Sequence, residues 1–192
     1  MNSLSTRDRI LDSAQALAQT RGFNAFSYAD IAGELGIRKA SIHHHFPSKF
    51  DLEAELLSRY RLSFDSELNS IQSGAVGSME QLQRYTQLYL STLKNNRICL
   101  GGMMASDVGA LPDELAPALN SFFEEQVEWL AEVLRNGKSE GEINFSGSAE
   151  SQAQLLLAAL QGGLLMANAM GDESVFTQMR NCLLYTSPSP RD

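Results

Sequence analysis

The chain has 192 residues, 43% of them apolar and 20% charged, with only two cysteines. These globular proportions exclude a disordered chain, a collagen and a disulfide scaffold. The net charge of −8 hides an asymmetry: residues 1–50 hold six Lys/Arg against four acids, and the remainder nine against nineteen. A basic working end on an acidic body suits a local anionic contact and weakens indiscriminate adhesion to nucleic acid.

Ser5-Thr-Arg-Asp8 has the spacing of a capping box. Behind it Ile10, Leu11, Ala14, Leu17 and Ala18 recur at helical spacing until Gly22, which predicts a first helix over 6–21. Ser27-Tyr-Ala-Asp30 starts a second helix with Ile31, Ala32 and Leu35 inward, and Gly36 ends it. Small Ala32, the turn glycine Gly36 and the apolar Ile37 and Ile42 match a helix-turn-helix, whose second helix spans roughly 39–45 and stops at Pro47. At ~1.5 Å per residue that helix is only about 10 Å long, enough to present four or five side chains to a major groove. Ser48-Lys-Phe-Asp51 is a third capping box and opens a long helix through Leu52, Leu56, Leu57, Tyr60, Phe64 and Leu68 to about Ser70.

After the loop Ser73–Ser78, helical stripes follow over 79–95, then a short buried segment at 98–107. A helix begins near Leu111-Pro-Asp-Glu114 and ends at Asn136-Gly137; another spans 149–170, and a last one runs over 172–183. Strand alternation and internal repeats are lacking, so the expected fold class is all-α with about nine helices. The expected domains are a three-helix helix-turn-helix domain over 1–50 and a helical effector-binding and dimerisation body over 51–184. The tail at 185–192, with prolines alternating with serines, reads as disordered and non-native.

Cys99 and Cys182 lie far apart without a C-x-x-C or His spacing, so neither a disulfide nor a zinc site is expected and a reducing cytoplasm is the natural setting. No apolar run of about 18 residues and no apolar leader segment are read, so no membrane partner is expected. His43-His44-His45 cannot close on one metal ion, because successive helical residues diverge by about 100°. A nucleophile elbow, a phosphate loop and a framed carboxylate pair are all missing, so the expectation is no enzyme and no cofactor.

The residues Ile10, Ala14, Gly22, Asp30–Gly36 and Lys39–Lys49 resemble the DNA-binding domain of the TetR family of transcriptional regulators. His43 departs from that pattern, where an aromatic Tyr is usual, and Arg38 replaces a small polar residue. The resemblance implies a two-fold homodimer with one recognition helix per subunit, a ligand-binding body and repression released by ligand. Two recognition helices reach successive major grooves only at a spacing of about 34 Å, so the operator should be palindromic double-stranded DNA.

Residue by residue, Lys39, Ala40, Ser41, His43 and His44 are the expected base-facing set with Arg38 at the rim, since Lys and Arg suit guanine and Ala40 a thymine methyl. Ser27, Tyr28 and Lys49, at helix N-termini, are expected to hold phosphates, and Ile42 and Phe46 belong to the core. Tyr85, Tyr89, Met103, Met104, Phe122, Phe123 and Trp129 are candidates for an apolar effector pocket, with plain core packing as the bland alternative. Cys99, close to Arg97, is a candidate redox sensor by resemblance, set against a buried inert thiol. The family's four-helix dimer bundle fits Leu155, Ala159, Gly162, Gly163, Leu164, Ala167, Val175, Phe176 and Met179.

The expected function is thus a ligand-responsive regulator, a repressor, released from DNA by a small apolar or electrophilic effector. The alternative is a DNA-bound adaptor that recruits a protein partner.

Overall fold

The Ser-x-x-Asp boxes at Ser27 and Ser48 close in both directions, and at Ser5 the side chain alone caps the helix. Ser5 Oγ accepts from the Asp8 N–H at 3.1 Å, the Ser27 N–H donates to Asp30 Oδ2 at 2.7 Å, and the Ser48 N–H donates to Asp51 Oδ2 at 2.9 Å. Each box satisfies N–H groups that a helix start would otherwise leave without acceptors. The computed structural model describes residues 4–107 and 112–185, and these form α helices and two short 3-10 turns with no strand. In chain order the helices are α1 Thr6–Arg21, α2 Tyr28–Leu35, α3 Lys39–His45, α4 Lys49–Gly74, α5 Ser78–Lys94, α6 Leu100–Ser106, α7 Ala116–Ser139, α8 Ala149–Met170 and α9 Glu173–Tyr185.

Several ends differ from the sequence reading. The long α4 continues past Ser70 to Gly74. Gly137 does not stop α7, which runs to Ser139. A Cβ on Gly137 would come within 2.5 Å of Ile143 Cδ1 and 2.8 Å of Ser78 Cβ, so this glycine serves a close approach. The turn itself falls at Gly141, with φ 74. Leu111 and the tail after Tyr185 lie outside the described residues; a 3-10 turn over Asp113–Leu115 leads into α7.

The start of α5 is satisfied from a distance. Its N-cap, Gly77, has no side chain to offer, and the Met79 N–H instead donates to Glu142 Oε2 at 3.1 Å.

The chain divides into two compact units, Met1–Ser63 with Leu100–Asn120, and Phe64–Cys99 with Ser121–Asp192. The first unit therefore takes α6 along with α1–α3 and the first part of α4. Its core includes Ile10, Leu11, Ala14, Ile31, Ile42, Phe46, Leu52, Leu56 and Met104. The second unit packs α8 against α9 and α5, over Leu82, Tyr85, Leu130, Leu160, Leu164 and Phe176. By length and composition α8 can cross a membrane, with a mean hydropathy of 1.3 over its most apolar 18-residue window. The burial of Ala153, Leu156, Leu160 and Leu164 within the second unit gives it the pattern of a core helix.

Candidate nucleic-acid interface

Helix α3 has seven residues and no side-chain cap at Arg38, too short to hold itself in water. Its neighbours hold it. Ile42 is fully buried and Phe46 nearly so, fixing one face. Gly36 adopts the left-handed conformation at φ 65, and the Ile37 N–H returns to the Ala32 carbonyl at 3.1 Å, which sets the angle between α2 and α3. The opposite face carries Arg38, Lys39, Ala40, His43 and His44, all exposed, with Ser41 half-buried. This exposed set is the base-facing set expected from the sequence. The side chains of Arg38 and Lys39 make no hydrogen bond or ion pair among the described residues, and α3 carries no acid. Positive charge there is free to meet phosphate or guanine.

The three expected phosphate holders are placed differently. Tyr28 is buried, and its hydroxyl donates to the carbonyls of Phe46 at 2.9 Å and Ser48 at 2.6 Å. Burial and the nearby Asp51 and Glu53 push its hydroxyl up to a pKa of about 12, so it remains a donor. Lys49 also turns inward. Its ammonium donates to the carbonyls of Phe23 and, at 3.1 Å, Phe26, and lies 4.8 Å from the Phe26 ring centroid. Ser27 is exposed, yet both its N–H and its hydroxyl donate to Asp30 Oδ2. Those bonds, the hydroxyl's first, hold the Asp30 carboxyl below its usual range. Tyr28 and Lys49 are therefore struts: one ties α2 to the α3–α4 turn, the other ties the α4 start to the Phe23–Phe26 segment. Main-chain carbonyls, absent from any sequence pattern, engage the donors of both side chains.

The family model for bacterial regulatory proteins of the tetR family matches residues 10–56, and that for the tetracyclin repressor-like C-terminal domain matches residues 78–183. The chain belongs to the TetR family. A TetR transcriptional regulator from Legionella pneumophila is 36% identical, with a TM-score of 0.88 over 98% of this chain and 100% of that one. A TetR-family regulator from Agrobacterium tumefaciens is 33% identical, with a TM-score of 0.90 over 94% and 96%. The HTH-type transcriptional repressor NemR of Escherichia coli is 25% identical over 166 residues, 84% of this chain and 83% of that protein. The protein is accordingly a TetR-family DNA-binding transcriptional regulator, and these relatives are regulators rather than enzymes.

The expected effector residues divide between the two units. Met103 and Met104 fall in the first unit with α6, the other five in the second. Tyr85, Tyr89 and Phe122 are buried core, and Trp129 stacks on Tyr85 with ring centroids 5.5 Å apart. Phe123 alone lines an open groove of about 380 Å³, together with Val127, Ala131, Glu124, Glu128 and Gln154. A smaller cavity of about 70 Å³ lies among Met79, Leu82, Leu134, Ile143, Phe145 and Leu156.

Sequence reading missed the polar centre of this unit. Gln126 Oε1 accepts from the Tyr85 and Tyr89 hydroxyls at 2.9 and 3.0 Å, while its amide donates to the Phe122 carbonyl. Gln161 Nε2 lies 3.4 Å from both the Tyr89 hydroxyl and Cys99 Sγ. Cys99 itself is buried. The available signal was a glutamine set four residues from both Phe122 and Leu130 in the apolar stripe of α7.

Among the expected dimer residues, Leu155 is 60% exposed, whereas Leu164, Ala167 and Phe176 are buried within the protomer. Gly163 is also buried, and a Cβ on it would run into Met179 Cε on α9. These residues build the α8–α9 contact inside one chain. Ala159, Gly162, Val175 and Met179 are half-buried, and the large apolar side chains exposed on α8 are Leu155, Leu165, Met166 and Met170.

Proposed function

We propose that this regulator is a repressor that binds a palindromic operator as a homodimer and leaves it when a small molecule occupies the body. The observation that carries the reading is the exposed face of α3, where the Arg38 and Lys39 side chains have no partner among the described residues and no acid shares the helix. Arg38, Lys39, Ala40, Ser41, His43 and His44 read bases. Ser27, Tyr28 and Lys49 contribute by setting the helix in place, since their donors are already engaged.

Leu155, Leu165, Met166 and Met170 form an apolar face on α8 that suits a two-fold contact with a second copy. The uninterrupted α4 links the units covalently, and ligand binding in the body biases the separation of two recognition helices along it.

Selection from random duplex DNA at moderate salt tests the reading: an enriched two-fold palindrome is expected, and its absence overturns DNA reading by α3. Sedimentation of Met166→Glu should show loss of the dimer. A thermal-shift screen, followed by operator release, tests the effector; intact operator binding without response to any compound favours the adaptor.

A further inference from the structure

His43 stands on the exposed face of α3, and its ring is held from two sides. Nδ1 lies 3.3 Å from the Pro47 carbonyl oxygen, and the Tyr28 ring packs edge-on at 4.8 Å between centroids, with an interplanar angle of 63°. Tyr28 is itself fixed through its hydroxyl. A carbonyl oxygen only accepts, so Nδ1 carries the proton. In the neutral imidazole the other nitrogen, Nε2, is then a bare acceptor.

We infer that His43 is a specificity residue that accepts a hydrogen bond, through Nε2, from an exocyclic amine in the major groove. Adenine N6 and cytosine N4 supply that donor, whereas guanine O6 and thymine O4 face Nε2 with a second acceptor and are rejected. The Pro47 carbonyl selects the tautomer, as a carbonyl partner does for other functional histidines. Lys39 and Arg38, as obligate donors, select the opposite pattern, so the reading face sets the His43 acceptor beside two cations. The inference rests on the reading of α3 as the DNA-reading helix.

Two measurements on the full chain test it. In the free protein at pH 8, nitrogen-15 spectra of the histidines should show His43 Nε2 unprotonated and Nδ1 protonated; the reverse tautomer overturns the inference. In selection from random duplex DNA, the wild type should favour A or C over G or T about five- to tenfold at one position of each half-site, the worth of one hydrogen bond. His43→Ala should lose that preference while others persist. His43→Gln, which retains an acceptor at similar reach, should keep the preference for adenine. A uniform fall in affinity for all sequences on His43→Ala marks a phosphate contact and overturns the proposal, as does an unchanged preference. If the wild type selects no sequence at all, the DNA-reading role of α3 itself has failed, a result distinct from these.

Discussion

The Tyr28 hydroxyl lies 2.6 Å from the Ser48 carbonyl oxygen, joining the first residue of α2 to the residue before α4. Replacing it by Phe keeps the ring and removes one donor from two carbonyls. Tyr28→Phe should destabilise by about 1–3 kcal/mol in urea unfolding, the cost of an unmet buried acceptor. Operator affinity should fall while helix content by circular dichroism stays unchanged. With the hydroxyl pKa raised to about 12, the loss should be the same at pH 6 and pH 9.

Two glycines inside helices should respond with opposite sign to the same substitution. A Cβ on Gly33 meets nothing within 4 Å, so Gly33→Ala should stabilise by about 0.5–1 kcal/mol through helix propensity. Gly137→Ala adds its methyl against Ile143 and Ser78 and should destabilise by about 1–3 kcal/mol. Thermal unfolding of the two variants measures the contrast.

Gln126→Leu should cost about 1–3 kcal/mol, because the Tyr85 and Tyr89 hydroxyls lose their shared acceptor in the core. Introducing the same change into a Tyr85→Phe/Tyr89→Phe background should cost much less. Equal costs in both backgrounds would show that packing, not hydrogen bonding, dominates; a double-mutant cycle gives the coupling directly.

Glu53 is a buried carboxyl whose pKa is raised above 4.5, first by burial and further by Asp107, with Lys49 opposing. A raised acid binds its proton more tightly folded than unfolded, so it favours the native state below pH 4.5. That contribution fades as pH rises through the folded value. Glu53→Gln should therefore gain stability relative to wild type as pH goes from 4 to 8. A melting-temperature profile in which the two curves stay parallel would refute this.

Local features carried most of the sequence reading. Capping boxes need only residues three apart, and α8 was legible to the residue because Ser148 and Gly171 bracket an apolar repeat. The exposed face of α3 was legible for the same reason: one buried position, Ile42, assigns the rest of a two-turn helix. Features that depend on distant chain were not. Lys49 faces Phe23 across 26 positions and Gln161 faces Cys99 across 62, and no spacing rule announces either. The inclusion of α6 with α1 is likewise a matter of tertiary packing, signalled neither by Gly101-Gly102 nor by charge.

The bond from the Met79 N–H to Glu142, 63 positions away, has a consequence for the order in which the body assembles. During synthesis the first turn of α5 emerges well before its acceptor, so it should stay frayed until α7 and the loop after it are made and in place. Amide exchange at Ser78–Gln81 should therefore report the docking of that later loop rather than helix formation in α5. Inserting residues next to Glu142, at a surface loop that would ordinarily tolerate lengthening, should open a protease-sensitive point at Gly77.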